Sequence, residues 1–140
     1  MNGGEVILGI GVDIVETGRV TGALEKFGDR FLNRCFWPAE IEYCRSMKFP
    51  GQHLAARFAA KEAISKAFGT GIGRQLGWKD LEICRHPTGE PYAVLHGKAE
   101  ELARARGAAR VFVSLSHCRD YAAAQAVLVG SGPVIAPPGR

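Results

Sequence analysis

Three charged residues stand where their surroundings call for apolar side chains, and their types and spacing suit one kind of chemistry. Asp13 interrupts the β-branched apolar run VILGIGVDIV at residues 6–15. Glu62 and Lys66 belong to QHLAARFAAKEAISKAF, residues 52–68, an alanine-rich segment that is apolar around most of a helical wheel. Four residues apart, these two share one helical face, and alone they need be no more than an ion pair of about 0.3–0.5 kcal/mol. Asp13 also has a plain account, since on an edge strand it would point away from Val12 and Ile14. If Asp13 and Glu62 converge instead, two carboxylates make a site for a hard cation such as Mg²⁺. That ion takes one or two protein carboxylates and completes its octahedron with water and phosphate oxygens. Lys66 would then offer its charge to a phosphate, and the trio would suit phosphoryl transfer.

The same helix also carries Arg57 and Lys61. Burying an unpaired charge is costly, so all four charged residues must reach water, one another or a ligand. Downstream, Gly69 to Gly77 reads as a glycine-rich loop that stops the helix. It follows a helix, whereas the dinucleotide fingerprint follows a strand, and it lacks a P-loop lysine. Ser114, Ser116 and His117 close a strand. Adjacent strand residues face opposite ways and no G-x-S-x-G elbow is present, so a catalytic serine is rejected. A phosphate- or ribose-binding role for this histidine and these hydroxyls stays open, beside that of an ordinary surface histidine.

These residues need elements to position them. A buried strand is expected over 6–15, where Gly9 and Gly11 mark a bend or a close backbone approach. A helix follows over 17–26, with Thr17 as N-cap and Gly28 past its end. Residues 30–36 read as a short irregular or helical piece. Pro38 opens a second helix that Pro50-Gly51 ends, and the long helix spans 52–68. Strands at 80–85 and 92–96 flank a turn at Pro87-Thr88-Gly89. A helix over 98–106 precedes strands at 110–116 and 122–129. The order predicts an α+β fold, with helices packed on one side of a mainly antiparallel sheet. A chain of 140 residues fits one domain, with its core over about 6–129 and a loose Pro/Gly-rich tail over 130–140.

Composition narrows the class. A hydrophobic fraction of 46% and a charged fraction of 23% exclude wholesale disorder. No apolar run approaches the roughly 18 residues that span a bilayer, and the N-terminus lacks the basic region of a signal peptide. A cytoplasmic location is expected. Cys35, Cys44, Cys84 and Cys118 have no C-x-x-C spacing and read as reduced thiols rather than zinc ligands. A net charge of +4 suits an anionic partner without choosing one. A nucleic-acid-binding module would need a basic stripe interleaved with exposed aromatics, whereas Phe58, Phe68 and Phe112 sit in apolar patterns. A metal-dependent phosphohydrolase using water as nucleophile is the other rival.

Three stretches, GIGVDIVETGRV (9–20), ARFAAKEAISKAFGTGIG (56–73) and VSLSHCRDYAAA (113–124), resemble holo-acyl-carrier-protein synthases, the short 4′-phosphopantetheinyl transferases. The family pattern G-x-D, K-E-A-x-x-K and S-x-S-H falls in order on Gly11–Asp13, Lys61–Lys66 and Ser114–His117. The likeness runs from about residue 6 to 129. It implies a homotrimer with active sites at subunit interfaces, and Mg²⁺, or Mn²⁺, held by Asp13, Glu62 and the coenzyme A pyrophosphate. A serine of the acyl carrier protein would attack the β-phosphate and release 3′,5′-ADP. Lys66 would stabilise the leaving oxygen, and Glu62 would act as general base, directly or through a water. Arg57, Lys66, Pro91 and His117 match coenzyme A contacts, Arg57 and His117 those to the 3′-phosphate. Arg19, Arg30 and Arg34 match the surface that docks the acidic carrier. Neither nucleic acid nor a membrane is an expected partner.

Overall fold

The protein is described by a computed structural model over residues 4–132. Strand β1 (Val6–Glu16) leads into helices α1 (Thr17–Phe27), α2 (Asp29–Cys35), α3 (Pro38–Arg45) and α4 (Pro50–Ala67). A 3₁₀ turn (Trp78–Asp80), strands β2 (Leu81–Arg85) and β3 (Pro91–Leu95), helix α5 (Gly97–Arg106) and strands β4 (Ala108–His117) and β5 (Tyr121–Gly130) complete it. All pairing is antiparallel, in an α+β arrangement. It is divided between a three-stranded sheet, β1-β5-β4, and a separate β2-β3 hairpin, rather than one continuous sheet.

Helix α4 is the axis of the core and packs across β1, β5 and β4. It starts at Pro50, two residues ahead of the expected boundary. A proline at the first helical position has no needed N–H to lose, so Pro50-Gly51 opens this helix rather than merely ending the one before. Thr17 likewise is not an N-cap. Glu16 occupies that position without a side-chain bond, and the Thr17 amide donates to the Asp120 carbonyl at 2.8 Å. At the other end, Gly130 pairs with Val6 and the Ser131 amide donates to Gly107 at 3.0 Å, so the tail begins later than residue 130. From residue 133 onward it lies outside the described residues.

Gly9 and Gly11 mark a close approach. A Cβ on Gly9 would lie 2.0 Å from the Ala67 carbonyl oxygen, and one on Gly11 2.0 Å from that of Ala63. Strand β1 therefore rests directly on the alanine face of α4, where Ala56, Ala60, Ala63 and Ala67 are all buried. Alternation then gives an inverted strand. Gly9, Gly11, Asp13 and Val15 turn toward α4, while Ile10, Val12 and Ile14 are 63–68% exposed. Asp13 does lie on an edge strand, yet it is the apolar neighbours that face outward and the acid that faces the core side. Ile10 is in register with Val127, and Val127 with Phe112, so an apolar row crosses the outer face of the sheet.

Candidate active site

The seating of β1 on α4 brings Asp13 to the helix. Lys66 Nζ donates to Asp13 Oδ1 at 3.0 Å and to the Val12 carbonyl at 3.1 Å. The i, i+4 ion pair with Glu62 is not formed among the described residues; Lys66 reaches across to the strand instead. Glu62 is half-buried beside them. Burial raises its pKa above the ordinary value of 4.5 and the Asp13 carboxylate raises it further, while Lys66 and Arg19 pull it back. Two carboxylates and an ammonium, from elements nearly fifty residues apart in sequence, share one locality. Glu62 also opens onto a cleft of about 640 Å³ walled by Arg34, Trp78, Lys79 and Asp80 and by Ile72 and Gly73 of the glycine-rich loop. That loop turns through positive φ at Gly69 (80°) and Gly71 (67°), which a side chain would strain.

Arg34 and Trp78 also border a second cavity, of about 350 Å³, lined by Arg30 and by Phe27, Phe31 and Phe58. Arg30 and Arg34 thus stand together around an apolar hollow. Arg19 lies outside it, on the first turn of α1, where its charge acts on Glu62.

Lys61, one residue from Glu62, has another task. Its ammonium is fully buried and donates to Glu40 Oε1 at 2.7 Å, to the Cys35 carbonyl at 2.6 Å and to the Trp78 carbonyl at 3.3 Å. Glu40 in turn accepts from the Trp37 amide at 2.8 Å and the Ile83 amide at 3.0 Å. One ion pair therefore joins α2, α3, α4, the 3₁₀ turn and β2. Burial lowers the Lys61 pKa and Glu40 counteracts this. Nothing in the local sequence pairs residues 40 and 61, so this partner was missed.

Arg57, Pro91 and His117 meet in a third pocket, of about 310 Å³, with His53, Arg85, Leu115 and Ser116. Arg57 is 2% exposed, its guanidinium lies 4.3 Å from the centroid of the Tyr43 ring, and its Nε has no hydrogen-bond partner. Arg85 packs 5.3 Å over the same ring. The His53 and His117 rings meet edge to face at 4.6 Å, and His117 Nδ1 lies 3.2 Å from Gln52 Oε1. Burial, then His117, Arg57 and Arg85, push the His53 pKa down. The i, i+4 spacing of His53 and Arg57 was a legible signal for this cluster; Arg85, from a distant strand, carried none.

A carboxylate pair with an adjacent lysine and a separate cationic pocket, set in this α+β frame, suit phosphoryl-transfer chemistry. Residues 9–126 match the 4′-phosphopantetheinyl transferase superfamily. Holo-[acyl-carrier-protein] synthases of Koribacter versatilis and Moorella thermoacetica are 48% and 47% identical to it. Those alignments cover 88% and 89% of this chain and 98% and 96% of theirs. The Neisseria meningitidis synthase superposes with a TM-score of 0.81 at 34% identity, over 88% of this chain and 98% of its own. The Helicobacter pylori synthase, in complex with coenzyme A, superposes at 0.76 and 33% identity, over 85% and 98%. The chain belongs to the holo-[acyl-carrier-protein] synthase family of this superfamily, and its reaction is phosphopantetheinyl transfer.

Proposed function

We propose that the enzyme moves 4′-phosphopantetheine from coenzyme A to a serine of an apo acyl carrier protein, with Mg²⁺ as cofactor and 3′,5′-ADP as product. The meeting of Asp13 on β1 with Glu62 and Lys66 on α4 carries this reading. Two neighbouring carboxylates, one with its proton affinity raised by burial and then by the other's charge, fit a divalent cation. Among the described residues no third acidic, histidine or cysteine ligand joins them, so water and pyrophosphate oxygens would complete the shell, as Mg²⁺ prefers. When bound, Mg²⁺, or Mn²⁺ in its place, would offset pyrophosphate charge and polarise the phosphorus under attack. Asp13 and Glu62 would hold it.

Lys66, its side chain half exposed, is placed to stabilise charge on the departing oxygen. The serine oxygen–phosphorus bond forms as the pyrophosphate P–O bond breaks, and 3′,5′-ADP leaves with the electron pair. Glu62 would take the serine proton, directly or through a water. Arg57 and His117 would receive the 3′-phosphate of coenzyme A, with Pro91 against the adenine; the complex of the Helicobacter pylori relative supports the same donor here. Arg30 and Arg34, around their apolar hollow, suit an acidic carrier that also inserts an apolar side chain, and Arg19 extends the basic surface along α1.

Asp13 lies on β1 and His117 on β4, at opposite edges of the three-stranded sheet, with α4, which carries Glu62 and Arg57, packed across it. A site shared between adjacent copies would join such halves, and the exposed row Ile10, Val12, Ile14 and Phe112 offers the apolar face that copies would bury. This supports a homotrimer with interfacial sites. We place the reaction in the cytoplasm. Incubation with coenzyme A, Mg²⁺ and an apo carrier should add one phosphopantetheine to the carrier mass, and chelation should abolish the gain. An unchanged carrier beside hydrolysed coenzyme A would favour a phosphohydrolase.

A further inference from the structure

Strand β1 changes face partway along. Leu8 is 5% exposed and points inward, whereas Ile10, Val12 and Ile14 point outward. Strict alternation would put all four on one side. The break is a bulge: Ile7 pairs with Val129 and Gly9 with Leu128, which leaves Leu8 without a partner on β5. One extra residue at this point exchanges the two faces for everything downstream. At Leu8, then, the strand enters the phase in which Gly9, Gly11 and Asp13 turn toward α4. Hydrophobic burial alone would favour the opposite phase, with Ile10, Val12 and Ile14 against the helix and Asp13 facing away.

Arg106, in the last turn of α5, reaches this bulge. Its Nη2 donates to the Leu8 carbonyl at 3.1 Å and its Nη1 to the Phe68 carbonyl at 3.0 Å. Phe68 caps the C-terminal end of α4, where carbonyls lack helical partners and carry negative partial charge. Arg106 forms no ion pair with a carboxylate among the described residues, so its charge is directed at these two carbonyls. One planar fork ties the bulged residue of β1 to the end of the helix that carries Glu62 and Lys66.

We infer that Arg106 is a positioning residue for the transfer reaction: it clamps the β1 bulge to the end of α4 and so keeps Asp13 turned toward Glu62 and Lys66. Leu8 lies on the order of 16 Å along the strand from Asp13, so Arg106 touches no reacting group and acts through the phase of β1. Gly9 and Gly11 make room for that phase, and the clamp keeps the chain in it. Without the fork, two carbonyls lose their partner and the bulge is free to migrate along an edge strand. The inference rests on the reading of Asp13 and Glu62 as the metal site, and adds to it the residue that sets their meeting from a distance.

The test compares wild-type protein with Arg106→Ala, Arg106→Lys and Arg104→Ala, the last an exposed control on the same helix. The readouts are amide exchange by NMR, Mn²⁺ binding in the presence of coenzyme A without a carrier, and transfer to an apo carrier. In Arg106→Ala, amides of β1 from Gly9 to Val15 should exchange about tenfold faster or more, while those of β4 keep wild-type rates. Mn²⁺ affinity and kcat should each fall by about tenfold or more. Affinity for the apo carrier alone should stay within about twofold, because the hollow at Arg30 and Arg34 shares no residue with the clamp. Arg106→Lys, with one point donor for two carbonyls, should recover part of each loss. Exchange that quickens equally in β1 and β4 with Mn²⁺ affinity unchanged would make Arg106 a general stabiliser and overturn the assignment, as would an equal loss in Arg104→Ala. Wild-type protein whose Mn²⁺ affinity falls in Arg106→Ala, and which yet modifies no carrier, would uphold the clamp while removing the transfer reading.

Discussion

Gly11→Ala should damage catalysis more than any apolar change of one methyl group elsewhere in the chain. Its Cβ would sit 2.0 Å from the Ala63 carbonyl oxygen and 2.8 Å from the Ala67 amide nitrogen, where ordinary contact begins at 3.4 Å. Both obstacles are backbone of a buried helix and cannot swing aside, so β1 must retreat by about 1.4 Å. Asp13 is two residues along the same strand, on the same face. The same displacement takes its 3.0 Å contact with Lys66 beyond hydrogen-bond length and moves its carboxylate away from Glu62. Misplacement on the order of 1 Å at a reacting centre costs roughly 100-fold in rate. The overpacking itself should lower stability by about 1–3 kcal/mol. The assay follows carrier mass against time over a Mg²⁺ titration, with urea unfolding alongside. Gly11→Ala is expected to remain folded, to need more Mg²⁺ for half-maximal rate, and to turn over about 100-fold more slowly. Gly4→Ala, two residues before the strand and with nothing within 4 Å, should match wild type. A Gly11→Ala enzyme with wild-type rate and wild-type Mg²⁺ demand would refute the idea that this approach positions Asp13.

In the metal-free protein, the Glu62 carboxyl should titrate above 4.5 by NMR, and Asp13→Asn should bring it down, since one cause of its elevation is removed. Mg²⁺ bound through the ionised Glu62 should therefore be released as pH falls through a value above 4.5, followed as a rising half-saturating Mg²⁺ concentration in direct binding. Lys61→Met strands the buried Glu40 and should cost about 3–5 kcal/mol in urea unfolding; Glu40→Gln/Lys61→Met should regain part of this, and a single variant within about 1 kcal/mol of wild type would contradict the role given to the pair. Val12→Lys, on the exposed outer face of β1, should sediment as a monomer and lose transfer while keeping its secondary structure. Wild-type protein sedimenting as a monomer at micromolar concentration would instead dismiss the shared site.

Elements with local signatures were readable from the residues. The alanine-rich α4, the β-branched β1 and the Pro/Gly turn between β2 and β3 carry their own periodicity and punctuation, and each lies within a few residues of its expected place. What local pattern could not convey was pairing. The run from Val6 to Val15 reads the same whether its apolar residues face in or out, and only contact with α4 through Gly9 and Gly11 decides that Asp13 turns inward. Glu40 looks like an ordinary first-turn acid of α3, suited to the helix dipole; its bonds to Lys61 and to the Ile83 amide depend on elements 21 and 43 residues away. Arg85 looks like a charge ending a strand until Tyr43 is seen beneath it. Proline at position 50 was ambiguous for a physical reason, since the residue that ends one helix is also well suited to begin the next.

The pairing of β1 has a consequence for how the molecule is made. Among the described residues its sole strand partner is β5, with Val6 opposite Gly130 and Glu16 opposite Tyr121. During synthesis the first strand must wait, unzipped, until almost the whole polypeptide has left the ribosome. Such sequence-distant closure slows folding and prolongs exposure of Ile10, Val12 and Ile14 to chance encounters. It also means that a chain stopped before residue 121 carries Asp13, Glu62 and Lys66 but has no partner strand to hold Asp13 against α4. Nascent fragments of this enzyme should therefore be inert toward carrier proteins, and activity should arrive only with the final strand.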